Sequence, residues 1–90
     1  MRDKVGMFLF ALSNPVRLRI VEILMKAEKP LHIEGIARQL KMDYGVVYRH
    51  IDLLKKVGII DIYEVGRSRV PYLVKKKEMG DFLTTLEKLI

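Results

Sequence analysis

Apolar residues recur through residues 33–62, IEGIARQLKMDYGVVYRHIDLLKKVGIIDI, with two helical periods separated by a short polar gap. Ile33, Ile36, Ala37 and Leu40 fall at i, i+3, i+4 and i+7, which is one apolar face of a short helix. Lys41, Met42 and Asp43 interrupt that pattern, and the Asp43 carboxylate can accept a bond from a free N–H of the following helix as its N-cap. The next helix is predicted over residues 44–57. In it Val47, Ile51 and Leu54 repeat at i, i+4 and i+7, with Val57 near the same face. Tyr44, Gly45, Val46, Tyr48, Arg49 and Asp52 are left pointing outward. A helix whose outward first turns carry aromatic, small and cationic residues, held by a short helix before it, is a helix-turn-helix arrangement for a DNA major groove.

The pattern then changes period. Ile59, Ile60, Ile62, Tyr63 and Val65 are strand formers, residues 66–69 (Gly-Arg-Ser-Arg) read as a turn, and Val70, Tyr72, Leu73 and Val74 form a second strand. Helix, turn, helix and a basic-tipped hairpin make a winged helix. The order and spacing of ALSNPVRLRIVEIL, IARQLKMDYGVVYRHIDLLKKVGII and the hairpin with Gly66, Arg67 and Arg69 resemble the ArsR-like family of winged helix-turn-helix transcriptional regulators. The expected fold class is therefore mainly α with a small β-hairpin (α+β), and residues 1–90 are read as one winged helix-turn-helix domain. The resemblance also implies a short strand at Leu31 added to the hairpin.

The two ends carry more apolar surface than a small core can use. Lys4 opens a helical pattern with Val5, Phe8, Leu9 and Leu12 on one face and Met7, Phe10 and Ala11 on a second. The last helix, predicted over residues 78–90, has Met79, Phe82, Leu83, Leu86 and Ile90 on one stripe, with Leu89 beside it. The surplus predicts burial against another subunit. In ArsR-like proteins the first and last helices commonly pair two protomers, so Val5, Phe8, Leu9, Leu12, Met79, Phe82, Leu83, Leu86 and Ile90 are the expected homodimer seam.

Between these regions Asn14 is a good N-cap and Pro15 suits the first helical position. The helix that follows is expected to turn Val16, Ile20, Ile23, Leu24 and Ala27 inward. Arg17, Arg19, Glu22 and Lys26 would then face water or partners, with Arg19 and Glu22 spaced to pair. Both arginines are read as structural rather than base-contacting. His32 stands at the start of the third helix as a weak cap, and Lys75, Lys76 and Lys77 read as a solvated linker or a contact to a nucleic-acid backbone. The resemblance implies that His50 lies near the phosphate backbone or packs under the reading helix, and the packed or capping role is the one expected.

Ninety residues suit one small domain. A chain this short buries only about 60–65% of its unfolded surface, so its core is marginal without a disulfide, a metal or a partner subunit. There is no cysteine, which removes disulfides and thiolate metal sites. The formal charge is +6, and residues 78–90 balance to −2, so the first 77 residues carry +8. Segregated basic charge on the helix-turn-helix and hairpin predicts a polyanionic partner. Arg2 and Lys4 ahead of an apolar run have the flavour of a signal peptide, but the run is too short and Asp3 spoils its charge. No apolar run approaches the roughly 20 residues of a membrane span, so no membrane partner and a cytoplasmic location are expected.

These readings converge on a homodimeric, sequence-specific double-stranded DNA-binding regulator of transcription, with repression by occluding a promoter as its mode. Tyr44, Gly45, Val46, Tyr48 and Arg49 would enter the major groove. Arg49 could fork to guanine, Val46 could lie on a thymine methyl, and Tyr44 could bond a phosphate or a base edge. Arg67, Ser68 and Arg69, in a wing over residues 64–70, would meet the minor groove or the backbone. Tyr48 stands where the family commonly has a small hydroxyl residue, so no operator sequence is carried over. The alternative is a winged-helix protein-interaction module of a larger assembly, with its apolar ends on a different chain. No enzyme, cofactor or metal site is expected, since two isolated histidines cannot supply three or four ligands. Whether a small-molecule effector binds is left open by the residues.

Overall fold

The computed structural model describes residues 2–90. Along the chain run α1 (Arg2–Leu12), α2 (Pro15–Lys26), α3 (Ile33–Leu40), α4 (Tyr44–Lys56), β1 (Ile60–Val65), β2 (Ser68–Leu73) and α5 (Lys76–Lys88). This is the expected winged helix-turn-helix order, mainly helical with one antiparallel hairpin.

Local chemistry sets most of the boundaries. The Asn14 side chain accepts from the Val16 and Arg17 amides at 2.8 and 3.2 Å, and Pro15 follows at the first helical position, so α2 starts where its free N–H groups find a partner. The turn between α3 and α4 is a Schellman motif. The Lys41 amide donates to the Arg38 carbonyl at 3.2 Å and the Met42 amide to the Ala37 carbonyl at 3.0 Å. Lys41 takes the left-handed conformation at φ 55 that this motif needs, and Met42 packs its side chain against the core. The same motif ends α4, with Gly58 at φ 83, its amide on the Lys55 carbonyl, and the Ile59 amide on the Leu54 carbonyl. Ile59 is buried, so the chain leaves α4 already aimed into the hairpin. Two identical stops thus set the angle between α3 and α4 and the take-off of the wing.

The hairpin register runs from Ile60 opposite Leu73 to Val65 opposite Ser68, which leaves Gly66 and Arg67 as a two-residue loop. Gly66 has φ 62 and Arg67 does not share a positive φ, the arrangement of a type II′ turn, which matches the twist of the flanking strands. The sheet has these two strands only among the described residues. Leu31 therefore does not add the expected third strand. Pro30 and Pro71 both lack the N–H that a ladder between these segments would use.

The core is one cluster drawn from every helix and both strands. Ala11, Ile20, Val21, Ile33, Ile36, Val47, Ile51, Leu54 and Ile60 are its fully buried members, and Val70 on β2 is buried as well. α3 and α4 bury the faces that their periodicity predicts. α2 does not. Its buried residues are Arg17, Ile20, Val21 and Leu24, while Val16 and Ile23 are only half-buried. Its inward face is thus rotated toward Arg17, a residue expected on the outside. α5 begins at Lys76, ahead of the expected start, because lysines propagate a helix well and the Lys76 Nζ reaches the Ala27 carbonyl at 3.5 Å.

Two members of the expected dimer seam are corrected by their burial. Leu12 and Met79 belong to the chain's own core, so neither is presented to a second copy. Phe8 and Phe82 meet edge to face, with centroids 5.9 Å apart, and lock α1 against α5 within one chain. An apolar pattern at a terminus says that a face is buried and not which chain buries it. The apolar surface that stays exposed is Val5, Met7, Leu9 and Phe10 on α1, with Leu89 and Ile90 at the end of the chain.

Candidate nucleic-acid interface

α4 offers two outward lines, fixed by the helical period once Val47, Ile51 and Leu54 are buried. Gly45, Val46 and Arg49 lie on one, and Val46 and Arg49 are exposed. Tyr44 and Tyr48 lie on the other, an i, i+4 pair stacked at 6.3 Å with their rings 10° from parallel. The α4 N-terminus is at Tyr44 as expected, with Asp43 at the N-cap position, although the Asp43 side chain makes no capping bond there.

The wing comes to the tyrosine side. The Arg69 guanidinium sits over the Tyr48 ring at 5.2 Å from its centroid, a cation–π contact worth roughly 0.5–1 kcal/mol at an exposed site. Tyr44, Arg67, Ser68 and Arg69 line one groove of about 130 Å³ together with His32, Ile33 and Glu34. The structure therefore gathers five of the eight sequence-predicted contact residues, Tyr44, Tyr48, Arg67, Ser68 and Arg69, into one connected surface. Gly45, Val46 and Arg49 adjoin it across the exposed side of α4. Tyr48 departs most from the outward role that helical spacing predicts for it. It is half-buried, packed against the core and covered by Arg69, so it fastens the wing to α4 more than it reaches outward.

Arg49, Arg67 and Arg69 take part in no ion pair among the described residues. Other charges nearby are matched along their own helices: Glu34 with Arg38 at 3.7 Å and Asp52 with Lys56 at 3.2 Å, both i, i+4 pairs. The surface is thus left with guanidinium groups whose charge is uncompensated, which is what a phosphate backbone needs from a protein. His32 and Glu34 line the groove beside the wing and were not among the sequence candidates. Nothing local could have found them, because the hairpin returns to the start of α3 only through the tertiary fold.

Gly45 has a definite geometric reading. A Cβ built on it would meet nothing nearer than the Asp43 carboxylate at 3.5 Å, an ordinary contact. The protein's own packing does not require glycine there, and the vacant space opens outward. Gly45→Ala is therefore expected to stabilise the fold by about 0.5–1 kcal/mol through helix propensity. If backbone must approach a duplex at this point, the same change weakens duplex binding. Urea denaturation and fluorescence anisotropy on one preparation check both signs, and a variant that gains both stability and affinity removes Gly45 from the interface.

His50 lies on the side of α4 away from the wing, half-buried, with its Nδ1 3.0 Å from Nη1 of Arg17. Burial first, and the Arg17 charge second, lower its pKa from the ordinary histidine value. No three His, Cys, Asp or Glu side chains come together to hold a metal ion among the described residues. No helix described is long and apolar enough to cross a membrane.

Comparison with known proteins agrees with this geometry. The family model described as HVO_A0114 matches residues 12–77, a span that runs from the end of α1 into the start of α5. An uncharacterized HTH-type transcriptional regulator of Methanocaldococcus jannaschii is 33% identical over 69 residues, covering 73% of this chain and 70% of that protein. Among solved structures, a homodimeric winged helix-turn-helix DNA-binding domain of Mycobacterium bovis, described as a possible ArsR-family transcriptional regulator, superposes with a TM-score of 0.83 at 20% identity, over 96% of this chain and 80% of that one. NolR of Sinorhizobium fredii gives 0.82 at 17% identity, over 98% and 85%. Reduced HlyU of Vibrio cholerae gives 0.77 at 21%, over 94% and 90%. At these identities the structural likeness is one of fold.

Proposed function

We infer from a chain that belongs to the HVO_A0114 family, and folds as an ArsR-like winged helix-turn-helix protein, that it binds double-stranded DNA as a homodimer and regulates transcription. The observation that carries the reading is the single surface made by Tyr44, Tyr48, Arg67, Ser68 and Arg69 beside the exposed Val46 and Arg49. α4 enters a major groove with Gly45, Val46 and Arg49 leading, and Arg67 at the wing tip reaches the minor groove or phosphates.

Pairing comes from the apolar faces at the chain ends. Val5, Met7, Leu9 and Phe10 on α1 meet a second copy, joined by Leu86, Leu89 and Ile90. Phe8, Phe82 and Leu83 support that face from beneath, since each already packs against the core of its own chain. Two-fold pairing sets two reading helices about 34 Å apart, the spacing of successive major grooves on one side of a duplex. Binding across a promoter excludes polymerase, so the regulator is a repressor, acting in the cytoplasm and asking no chemistry or cofactor of its residues. Operator affinity is expected not to respond to added divalent metal, and a metal-dependent change in duplex binding contradicts that expectation.

The test is the salt dependence of duplex binding. Each neutralised phosphate contributes about 0.9 to the slope of log affinity against log salt. With roughly two to four phosphate contacts per protomer, the dimer is expected to show a slope of about −4 to −7. A slope near zero, or equal affinity for all duplex sequences, contradicts the reading.

A further inference from the structure

Arg17 is a buried cation with no carboxylate beside it among the described residues. It is 8% exposed, and it lies at the point where α1, α2 and α4 come together. Three other groups take the place of a carboxylate. Its Nε donates to the Ala11 carbonyl at 2.6 Å, its guanidinium lies 5.7 Å from the centre of the Phe10 ring, and its Nη1 lies 3.0 Å from Nδ1 of His50. Ala11 is in the last turn of α1, where carbonyls lack helical partners and the helix dipole is negative, and α1 has no basic residue of its own there. Arg17 supplies that charge from the next helix. Its third neighbour, His50, belongs to the helix that carries Arg49.

The chemistry of this contact fixes a proton. A guanidinium has no acceptor, so in the 3.0 Å contact Nδ1 of His50 must be the acceptor, and the ring is neutral with its hydrogen on Nε2. A second proton would have to enter at Nδ1. It would destroy the bond and set an imidazolium against a guanidinium that cannot give up its own charge. Along α4 the neighbouring charges in sequence are Arg49 and Asp52, and Asp52 is paired with Lys56. From α2 the charge that acts on the ring is Arg17, and α1 contributes only the Phe10 ring and the Ala11 carbonyl, both through Arg17.

We propose that Arg17 and His50 form a proton-released tie between α1 and α4, so that protonating His50 loosens the DNA-reading helix from the helix that bears the exposed apolar face. Arg17 acts here as a positioning residue, holding two elements whose relative placement sets the spacing of the reading helices. The part of this that concerns DNA rests on the function proposed above. The lowered pKa of His50 has the matching sign. Protonation is easier in the unfolded chain, so the tie holds at full strength above the ordinary histidine value of about 6.5 and is lost as pH falls below it.

The experiment is a pH titration of the free protein by 1H–15N NMR, read at the His50 ring nitrogens and at the amide of Leu12, whose nitrogen is bonded to the Ala11 carbonyl carbon. The expected result is an Nε2–H tautomer at neutral pH, a His50 midpoint below 6.5, and a Leu12 amide shift with the same midpoint. In His50→Gln, which keeps an acceptor and cannot titrate, the Leu12 transition disappears. In Arg17→Met the His50 midpoint rises and Leu12 no longer follows it. A Leu12 amide that ignores the His50 midpoint, or that titrates unchanged in His50→Gln, overturns the proposal. Duplex binding at pH 7.5 and 5.5 gives the functional arm: the wild type is expected to lose about fivefold or more in affinity relative to His50→Gln. Equal pH dependence in the two proteins overturns the link to DNA. Coupled titration in a protein that binds no duplex at either pH supports the tie and contradicts the regulatory function instead.

Discussion

Val5→Glu combined with Leu9→Glu is expected to give a folded monomer whose duplex affinity is lower by roughly 10²- to 10⁴-fold, the usual gain from joining two binding units. The two residues are i, i+4 neighbours on α1, 46% and 47% exposed in the single chain. Glutamates there reach water, and α1 keeps its own anchorage through Ala11, Leu12 and the Phe8–Phe82 contact. The fold therefore has little reason to fail. In a two-fold seam each substitution occurs twice, and burying four carboxylates costs several kcal/mol for each one left unpaired. Sedimentation velocity, circular dichroism and anisotropy read the three parts. A double variant that stays dimeric moves the seam off α1. A wild-type protein that is monomeric favours an interaction module with another chain as its partner.

Arg49→Ala and Arg67→Ala are each expected to cost about 1–3 kcal/mol of duplex binding while leaving stability within about 0.5 kcal/mol. Stability is spared because both side chains are exposed and unpaired among the described residues. The two losses differ in kind. Arg49 stands on the exposed line of α4, where a guanidinium can fork to a guanine edge, so its removal relaxes preference at one base position in each half-site. Arg67 is at the tip of the II′ turn, so its removal lowers affinity for all duplexes alike and reduces the salt slope by about one per protomer. Arg69 is the internal comparison. It is held over Tyr48, and its loss frees the wing as well as removing a charge. A uniform loss from Arg49→Ala, or a change of sequence preference from Arg67→Ala, contradicts the assignment of roles.

The helix-turn-helix was legible because α3 and α4 are short, strictly periodic and ended by local chemistry. Ile33, Ile36, Ala37 and Leu40, and then Val47, Ile51 and Leu54, are buried where the period puts them. The hairpin was legible because Gly66 can take the φ that its turn requires. What escaped the sequence was nonlocal. Arg17 looked like a surface residue, since a charged side chain in an apolar face is recognised only when its partners, the Ala11 carbonyl and His50, are seen to converge from two other helices. Leu12 and Met79 looked like seam residues because hydrophobicity records burial without naming the partner. Tyr48 looked like a reader because helix geometry points it outward, and only the returning wing, with Arg69, explains its size.

The central claim is that one cationic, aromatic surface per protomer is doubled by a two-fold axis to read two successive major grooves. Selection of bound duplexes from a random pool measures this directly. The account predicts enrichment of an inverted repeat with half-site centres about 10–10.5 base pairs apart, or a multiple of that spacing. Recovery of a single unrepeated motif, or of no motif at all, would contradict it.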